Sequence, residues 1–575
     1  MMKANLSGLL DKMERQYDLN KSMIYENRSE WQPEQGGGYH SRHSGIVHLT
    51  RETADFISLV YLLEDHSRMP LAEKSILALL KIQDMDERSK TYGLWSYLLE
   101  ENLQQMLTPD FNWANFISNQ LAYVLKKRSH YLSEELKQKL IISLIAAAEC
   151  TKRRNVAADY TNISFMSVVT LACAGEMGHM PQLLSDAKIR LKKAYSYNQF
   201  SGNFSEFNSP VYTLVAIEEL TRLTFLVDDA DCRRWAGELL FLAWETTLKH
   251  YDRRRYQLCP PHSRAYSDFI ANKDLEAMIY VATDGKFGDP GDGMSTFFKL
   301  PLKLPAELEH YLFNPQKTCF MQDIFYRKNT IRDVAEEMVI IPDVDCPDLK
   351  AYSYISERYS MGTFEKTDLW AQRRTNMVYW GEADVPKAIR LRCIATDSDY
   401  CSGMAYSAMY KNGILSTTGF ALDHGAFHYL LDKDKGGIIK TQKLFFCFEI
   451  NAKDVKVQQN GNTFKVYDSE TSIFIHIIKA VFDGCDMSCV MNSQQNRIEM
   501  ICYDDGREVD FNHIGQCYII FTMSIHEKMQ CLKAEIYENT VHAAAAFGGK
   551  LLEISSPAIP RTYLESLKTT KISIK

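Results

Sequence analysis

The sequence predicts an α+β multidomain chain: an N-terminal helical (α/α) toroid or solenoid, then an antiparallel β-sandwich. Three observations carry that expectation. The 575 residues are too many for one compact core, so two or three domains are expected. Residues 1 to about 285 place apolar side chains at three- and four-residue spacing. Beyond "TDGKFGDPGDGMS" (283–295), rich in Gly, Asp and Pro, the texture changes to short β-branched and aromatic runs, many of them alternating.

The helical segments lie near 50–66, 71–83, 91–107, 114–128, 133–151, 163–177, 181–195, 209–226, 231–250 and 272–282. Turn clusters such as "MLTPDFN" and "MGHMPQ" separate them, and no fixed-period repeat is visible. About ten antiparallel helices over this length suggest the toroid or solenoid. The expected boundaries are a helical domain over 1–285, a linker over 286–304 and a sandwich over 305–575. In the second half, "LKAYSYISERYSMGTF", "AIRLRCIAT", "KLFFCFEI", "SIFIHIIKAVF" and "QCYIIFTMSI" read as strands, and "QNGNT" as a hairpin turn.

Hydrophobic residues at 46% and charged residues at 24% are ordinary for a soluble globular protein. A net charge of -7 without a long basic run excludes a nucleic-acid footprint. A local cationic cluster can still hold an anionic substrate inside an acidic protein. No stretch approaches the ~20 apolar residues needed to span a bilayer. The start, "MMKANLSGLLDKMERQYDLN", has no apolar signal core. The 14 Cys show no CxxC pair, as in a reducing compartment. The expected location is cytoplasmic, or secreted if a leader has been removed. The oligomeric state is not legible.

Four clusters hold chemistry-bearing residues. In "QGGGYHSRHSGIVHLTRETADF" (35–56), three Gly precede Tyr39, His40, Arg42, His43 and His48, with Arg51 following. The plain alternative is a surface loop capped at Thr50. In "ADYTNISFM" (158–166), Asn162 stands beside Tyr160 at a helix start, where an N-cap is the plain reading. In "GNFSEFNSPVYTLVAIEEL" (202–220), Ser209 and Pro210 suit a helix start. Asn203, Phe204, Glu206, Phe207 and Asn208 exceed what capping needs, and Tyr212 follows in the first turn. In "YQLCPPHSRAYSDF" (256–269), His262, Arg264 and Tyr266 alternate, so an extended segment would project them to one face. Arg grips carboxylates, His moves protons near neutral pH, and Tyr serves as acid or base beside a cation. The β-half adds Arg358, Tyr359, His424 and His428. A metal site from the two His is short of ligands. No HExxH, Walker loop, GxSxG or dinucleotide fingerprint competes.

A helical toroid, a Gly-rich linker and a large antiparallel sandwich together resemble the polysaccharide lyases of the alginate, chondroitin AC, hyaluronate and heparinase type. In such lyases an Asn or acidic group acts with His and Arg to neutralise the uronate carboxylate. A Tyr or His takes the C5 proton, and a Tyr usually returns a proton to the leaving O4. The resemblance implies Tyr266, His262 and Arg264 as catalytic residues. It implies Asn162, Asn203, Asn208, Tyr212, Glu206, His43, Tyr39 and Tyr359 as substrate-binding ones, without metal or other cofactor. The helical half lacks an adjacent Asn-His pair of the alginate-lyase kind; Asn512-His513 falls in the β-half.

The chemistry explains the residue types. Removing a proton α to an ionised carboxylate builds a dianion, so hydrogen bonds to that carboxylate must strengthen as charge develops. Asn amides and a helix N-terminus are suitable donors. On this expectation the partner is a uronate-containing glycan, and Phe204 and Phe207 wall the sugar. Two alternatives stand beside it. A toroidal glycoside hydrolase needs two carboxylates, with Glu206 and Asp268 as first candidates and Glu52 and Asp159 behind them. A non-catalytic glycan-binding protein would need only aromatic platforms.

Overall fold

The computed structural model describes residues 2–32, 40–270, 273–291, 299–313, 318–334, 337–346, 348–427 and 436–575. Among the described residues, ten helices of nine or more residues precede the β-half: α1 (Met2–Glu14), α2 (Thr50–Leu63), α3 (Met69–Ile82), α4 (Trp113–Arg128), α5 (Glu134–Arg154), α6 (Thr161–Met177), α7 (Pro181–Ser201), α8 (Tyr212–Leu226), α9 (Ala230–His250) and α10 (Asp274–Ala282). Helices α2 to α9 form four hairpins. Their first members, α2, α4, α6 and α8, pack one on the next along an inner wall. The second members flank them outside, with α7 on α9. This is the layering of an (α/α) toroid. The inner position explains α6, whose residues from Thr161 to Gly175 are all buried, because a helix covered on every side is apolar on every side. Local chemistry sets several starts. Ser133 accepts the Leu136 N–H, Asp229 accepts the Asp231 and Cys232 N–H groups, and Pro181 opens α7.

Two expectations fail in this half. The helix expected over 91–107 is irregular chain. Its apolar residues are core residues all the same: Trp95 is buried and donates its indole N–H to the Leu79 carbonyl (3.0 Å). Gly93, at φ +85°, lies so near α5 that a Cβ would stand 1.9 Å from the Ala146 oxygen. Second, the far end of the expected linker belongs to the helical core. Leu300, Leu302 and Leu304 are buried there, and Lys299 pairs with Asp55 of α2 at 2.7 Å. Before α2, a small three-stranded sheet (Tyr17–Asp18, Met23–Arg28, Gly45–Leu49) was not legible in the sequence.

The second half is antiparallel β in three layers rather than two. One sheet runs, edge to edge, through Ser488–Asn492, Arg497–Tyr503, Leu444–Asn451, Lys387–Ala395, Met377–Trp380, Tyr359–Phe364, Leu349–Ile355 and Cys319–Tyr326. A second runs through Lys366–Asp368, Gly403–Tyr410, Gly413–Phe420, Tyr518–Ile525, Ser472–Phe482, Thr463–Tyr467 and Lys456–Asn460. Ile389, Leu391, Phe446 and Phe448 of the first meet Ile475, Ile519, Phe521 and Met523 of the second. A four-stranded sheet (Gln530–Tyr537, Thr540–Phe547, Lys550–Pro557, Lys571–Ile574) covers the other face of the second, through Val541, Ala543, Ala545 and Leu552. The alternation in "KAIRLRCIA" explains what faces away from the first core. Arg390 and Arg392 point opposite to Ile389 and Leu391, and they form ion pairs there. No described helix is long and apolar enough to cross a membrane, and every one of the 14 Cys is a free thiol.

Candidate active site

The stretch before α8 divides its residues between core and site. Phe204 and Phe207 are buried, which corrects the expectation that they wall a sugar. Phe204 packs edge-on against Phe165 of α6. Phe207 joins His250, Phe325 and Phe364, sealing the helical half onto the β-half. Ser209 lies ahead of α8, whose N-cap position is Val211; its hydroxyl accepts the Tyr212 N–H (3.1 Å) and donates to the Arg264 carbonyl (2.5 Å). Asn203 is tied to structure, donating to the Ile324 carbonyl (3.2 Å) and accepting from Thr246 (3.1 Å).

Asn208 adopts the left-handed region (φ +49°) and staples the neighbouring loop. Its amide donates to the Cys259 and Pro261 carbonyls at 2.7 and 2.9 Å. That loop lies flat on the first β-sheet. Ser353 donates to the Pro260 carbonyl (2.7 Å), and a Cβ on Gly362 would stand 1.9 Å from the same oxygen. Next the loop pairs with residues 372–374. His262 and Arg374 exchange both backbone hydrogen bonds at 3.0 Å, but the following bond runs from Ala265, not residue 264, to the Gln372 carbonyl. Three residues on one side oppose two on the other, and this bulge reverses the alternation.

His262 and Tyr266 therefore do not share a face, which corrects the sequence expectation. His262 is 1% exposed. Its Nδ1 faces the Asn208 carbonyl at 2.8 Å, and its Nε2 is 3.3 Å from the Tyr379 hydroxyl. Burial pushes its pKa down to about 3. The ring is closed to solvent, with both nitrogens facing protein groups. Asp268 is buried too, 2.8 Å from both Arg374 and Arg390 in ion pairs off the hydrogen-bonding direction. Burial opposes its charge, but the Arg390 and Arg374 guanidiniums win and hold its carboxyl below the usual range.

Arg264 and Tyr266 turn the other way. One Glu206 oxygen pairs with Arg264 at 2.8 Å, and the other accepts the Asn162 N–H at 3.1 Å. Glu206 thus sits at the positive end of α6, where a carboxylate is favoured. Burial is the larger influence and raises its pKa, with Arg264 and the Asn162 N–H opposing. The Arg264 Nε donates to Gln372 (2.9 Å), and the guanidinium lies 4.1 Å from the centre of the Tyr212 ring. The Tyr212 hydroxyl meets the Tyr266 hydroxyl at 2.5 Å. Tyr212 is 9% exposed, Tyr266 62%. Burial raises the Tyr212 pKa, against the pull of Arg264. The result is a solvent-facing phenol, hydrogen-bonded to a buried phenol that rests under a cation.

Asn162 is buried beside this group, and its side-chain oxygen has no partner among the described residues. Tyr160 lies under the same guanidinium at 5.7 Å, and so does Trp370, which the sequence reading missed. The reading also missed an aromatic wall. The Tyr97 and Trp113 rings stand 4.0 Å apart, Trp113 meets Phe116 at 5.4 Å, and His40 lies 5.6 Å from Tyr97. The Tyr97 hydroxyl donates to Asp110 (2.7 Å) and lies within electrostatic reach of Tyr266. Its signal in the sequence, "NWANF", reads as the opening turn of α4. His43 is exposed, with its N–H on Ser41. His48 is buried between Glu100 and Asp18. Tyr359 is a core residue between Tyr354 and His526, so its ring is not offered to a ligand. Tyr39 and His428 lie outside the described residues. His424 sits 3.6 Å from Asp368, stacked on Tyr563. Among the described residues no group of three or more metal-ligating side chains converges.

A family model described as a domain of unknown function (DUF8769) matches residues 17–283. No curated protein matches the chain. Among solved structures the chain is similar to heparinase III, at 8% identity and TM-score 0.46 over 88% of this chain and 82% of that one. It is also similar to the Streptomyces coelicolor A3 chondroitin AC lyase, at 8% identity and TM-score 0.44 over 97% and 89%. A heparan sulfate lyase HepC mutant from Pedobacter heparinus gives 9% identity and TM-score 0.34 over 97% and 95%. Scores this low add nothing to the packing described above.

Proposed function

We propose that this chain is a carbohydrate-active lyase that cleaves a uronate-containing glycan by β-elimination. The observation that carries the reading is the Tyr212–Tyr266 hydroxyl pair at 2.5 Å with the Arg264 guanidinium against the Tyr212 ring. In this reading Tyr266, ionised, takes the C5 proton. The C5–H electrons form the C4=C5 double bond, and the C4–O4 bond breaks with its electrons on O4. The proton now on Tyr266 passes to that leaving oxygen. The Tyr212 hydroxyl, 2.5 Å away, fixes the Tyr266 oxygen that carries the proton. The chain's own groups supply both proton transfers.

The hydrolase reading requires two carboxylates free to act. Glu206 is paired with Arg264, and Asp268 with Arg374 and Arg390, so neither first candidate stands open. Incubation with hyaluronan, alginate, glucuronan, polygalacturonate and heparan sulfate tests the reading through the ultraviolet absorbance of a 4,5-unsaturated product. The expected result is product from at least one substrate, lost in Tyr266→Phe and largely kept in Glu206→Gln. Reducing ends without unsaturation, lost in Glu206→Gln, would sink the lyase in favour of the hydrolase. Binding without turnover would favour the glycan-binding alternative.

A further inference from the structure

Arg264 is the cation nearest the paired tyrosines, yet its charge is already neutralised by Glu206 at 2.8 Å. The positive charge that an acidic sugar needs must come from elsewhere on this surface. Arg51 supplies it. It stands in the first turn of α2 and is exposed, and it makes no hydrogen bond or ion pair to a described residue. Glu52, its chain neighbour, feels its charge without contact. Arg51 is nevertheless held in place. Its guanidinium carbon lies 4.4 Å from the centre of the Phe116 ring and 6.0 Å from that of Trp113. Trp113 is fixed in turn: its indole N–H donates to the Thr50 hydroxyl (2.9 Å), and its ring lies 4.0 Å from Tyr97. Asp110, the nearby carboxylate, is engaged by the Tyr97 hydroxyl at 2.7 Å and faces His40 at 3.9 Å.

We infer that Arg51, poised on Phe116 and Trp113, binds the anionic group of an acidic sugar whose ring stacks on the Trp113–Tyr97 wall. A fixed guanidinium matches the two-oxygen edge of a carboxylate or sulfate, and loses less freedom on binding than a mobile one. Amphipathic sugar faces stack on such aromatic surfaces, which leaves charge recognition to the arginine. Tyr97 lies within electrostatic reach of both Arg51 and Tyr266. The assignment rests on the glycan reading of the site, not on the elimination chemistry.

The test uses the full-length Tyr266→Phe chain, so that binding is read without turnover. Hexasaccharides of hyaluronan, alginate and polygalacturonate carry carboxylate, keratan sulfate carries sulfate alone, and carboxyl-reduced hyaluronan carries neither. Calorimetric titration should show binding of at least one charged probe, weakened about tenfold or more by Arg51→Gln. Its affinity should lose part of its salt dependence. Arg51→Lys should recover part of the loss, and the affinity of the neutral probe should not change. Equal losses for charged and neutral probes, no loss, or no binding of any charged probe would overturn the inference. Arg51-dependent binding by a wild-type chain that releases no unsaturated product would sink the elimination reading and leave this site standing.

Discussion

The loop from Cys259 to Asp268 has a face turned into the β-half and a face turned to solvent, and the two do opposite things with the same residue types. On the inner face, His262 is desolvated and hydrogen-bonded and Asp268 is desolvated and ion-paired, and they join the domains. On the outer face, Arg264 is paired but leaves Tyr266 standing in water on the Tyr212 hydroxyl. A titratable group in a chemistry-like motif contributes stability when it is dry and satisfied, and reactivity when one edge is open. Residue type alone does not separate the two.

Variants of the two faces should divide accordingly. On the outer face, Tyr266→Phe should lower turnover by about 10²–10⁴-fold. Its unfolding midpoint should hardly move, because the side chain is exposed; a large drop in midpoint would place Tyr266 with the inner face. On that inner face, Asp268→Asn strands the buried Arg374 and leaves Arg390 with Glu449 alone (3.2 Å), and should cost about 3–5 kcal/mol in denaturant unfolding. An unchanged midpoint would show that the two arginines find other partners. Gly362→Ala forces the Pro260 carbonyl away and should destabilise by roughly 1–3 kcal/mol. It should also impair activity by displacing the loop that carries Tyr266.

His262 gives a pH signature. Its folded pKa of about 3 lies below the unfolded value of 6.5. Between those values the unfolded chain binds a proton that the folded chain refuses. The His262 contribution is therefore complete above pH 6.5 and declines as pH falls, by up to about 1.4 kcal/mol per pH unit. His262→Gln should remove that slope from stability-versus-pH curves. If it shifts the acid limb of the activity profile instead, His262 is a proton carrier after all. Asn203→Ala should cost about 0.5–1.5 kcal/mol for each of its two lost hydrogen bonds, with activity intact.

The sequence was most informative where a pattern repeats. The 3.6-residue spacing located nine of its ten expected helices, and two-residue alternation located the strands. It misled where a single local event breaks the pattern. The 91–107 segment has helical spacing, but Gly93 and a buried Trp95 fit it between α3 and α5 as irregular chain. His262, Arg264 and Tyr266 alternate faultlessly, but one bulged residue turns His262 inward and Tyr266 outward. The Phe pair before α8 read as a wall because nothing local distinguishes an aromatic ring bound for a core from one bound for a ligand.

By itself, the sequence determined the order of a helical half and a β-half, the helix that begins shortly after Ser209 and the concentration of Asn, Glu and Tyr around that start. Those follow from periodicity and backbone hydrogen bonding, which act over a few residues. Only the tertiary structure decided that Glu206 meets Arg264 rather than facing Asp268. It alone stood Tyr266 on Tyr212, and brought Arg51 and Trp113 from separate helices onto one surface. Charge pairing and burial depend on which distant segments share a space, and both are set by how the helices pack on one another and on the sheet.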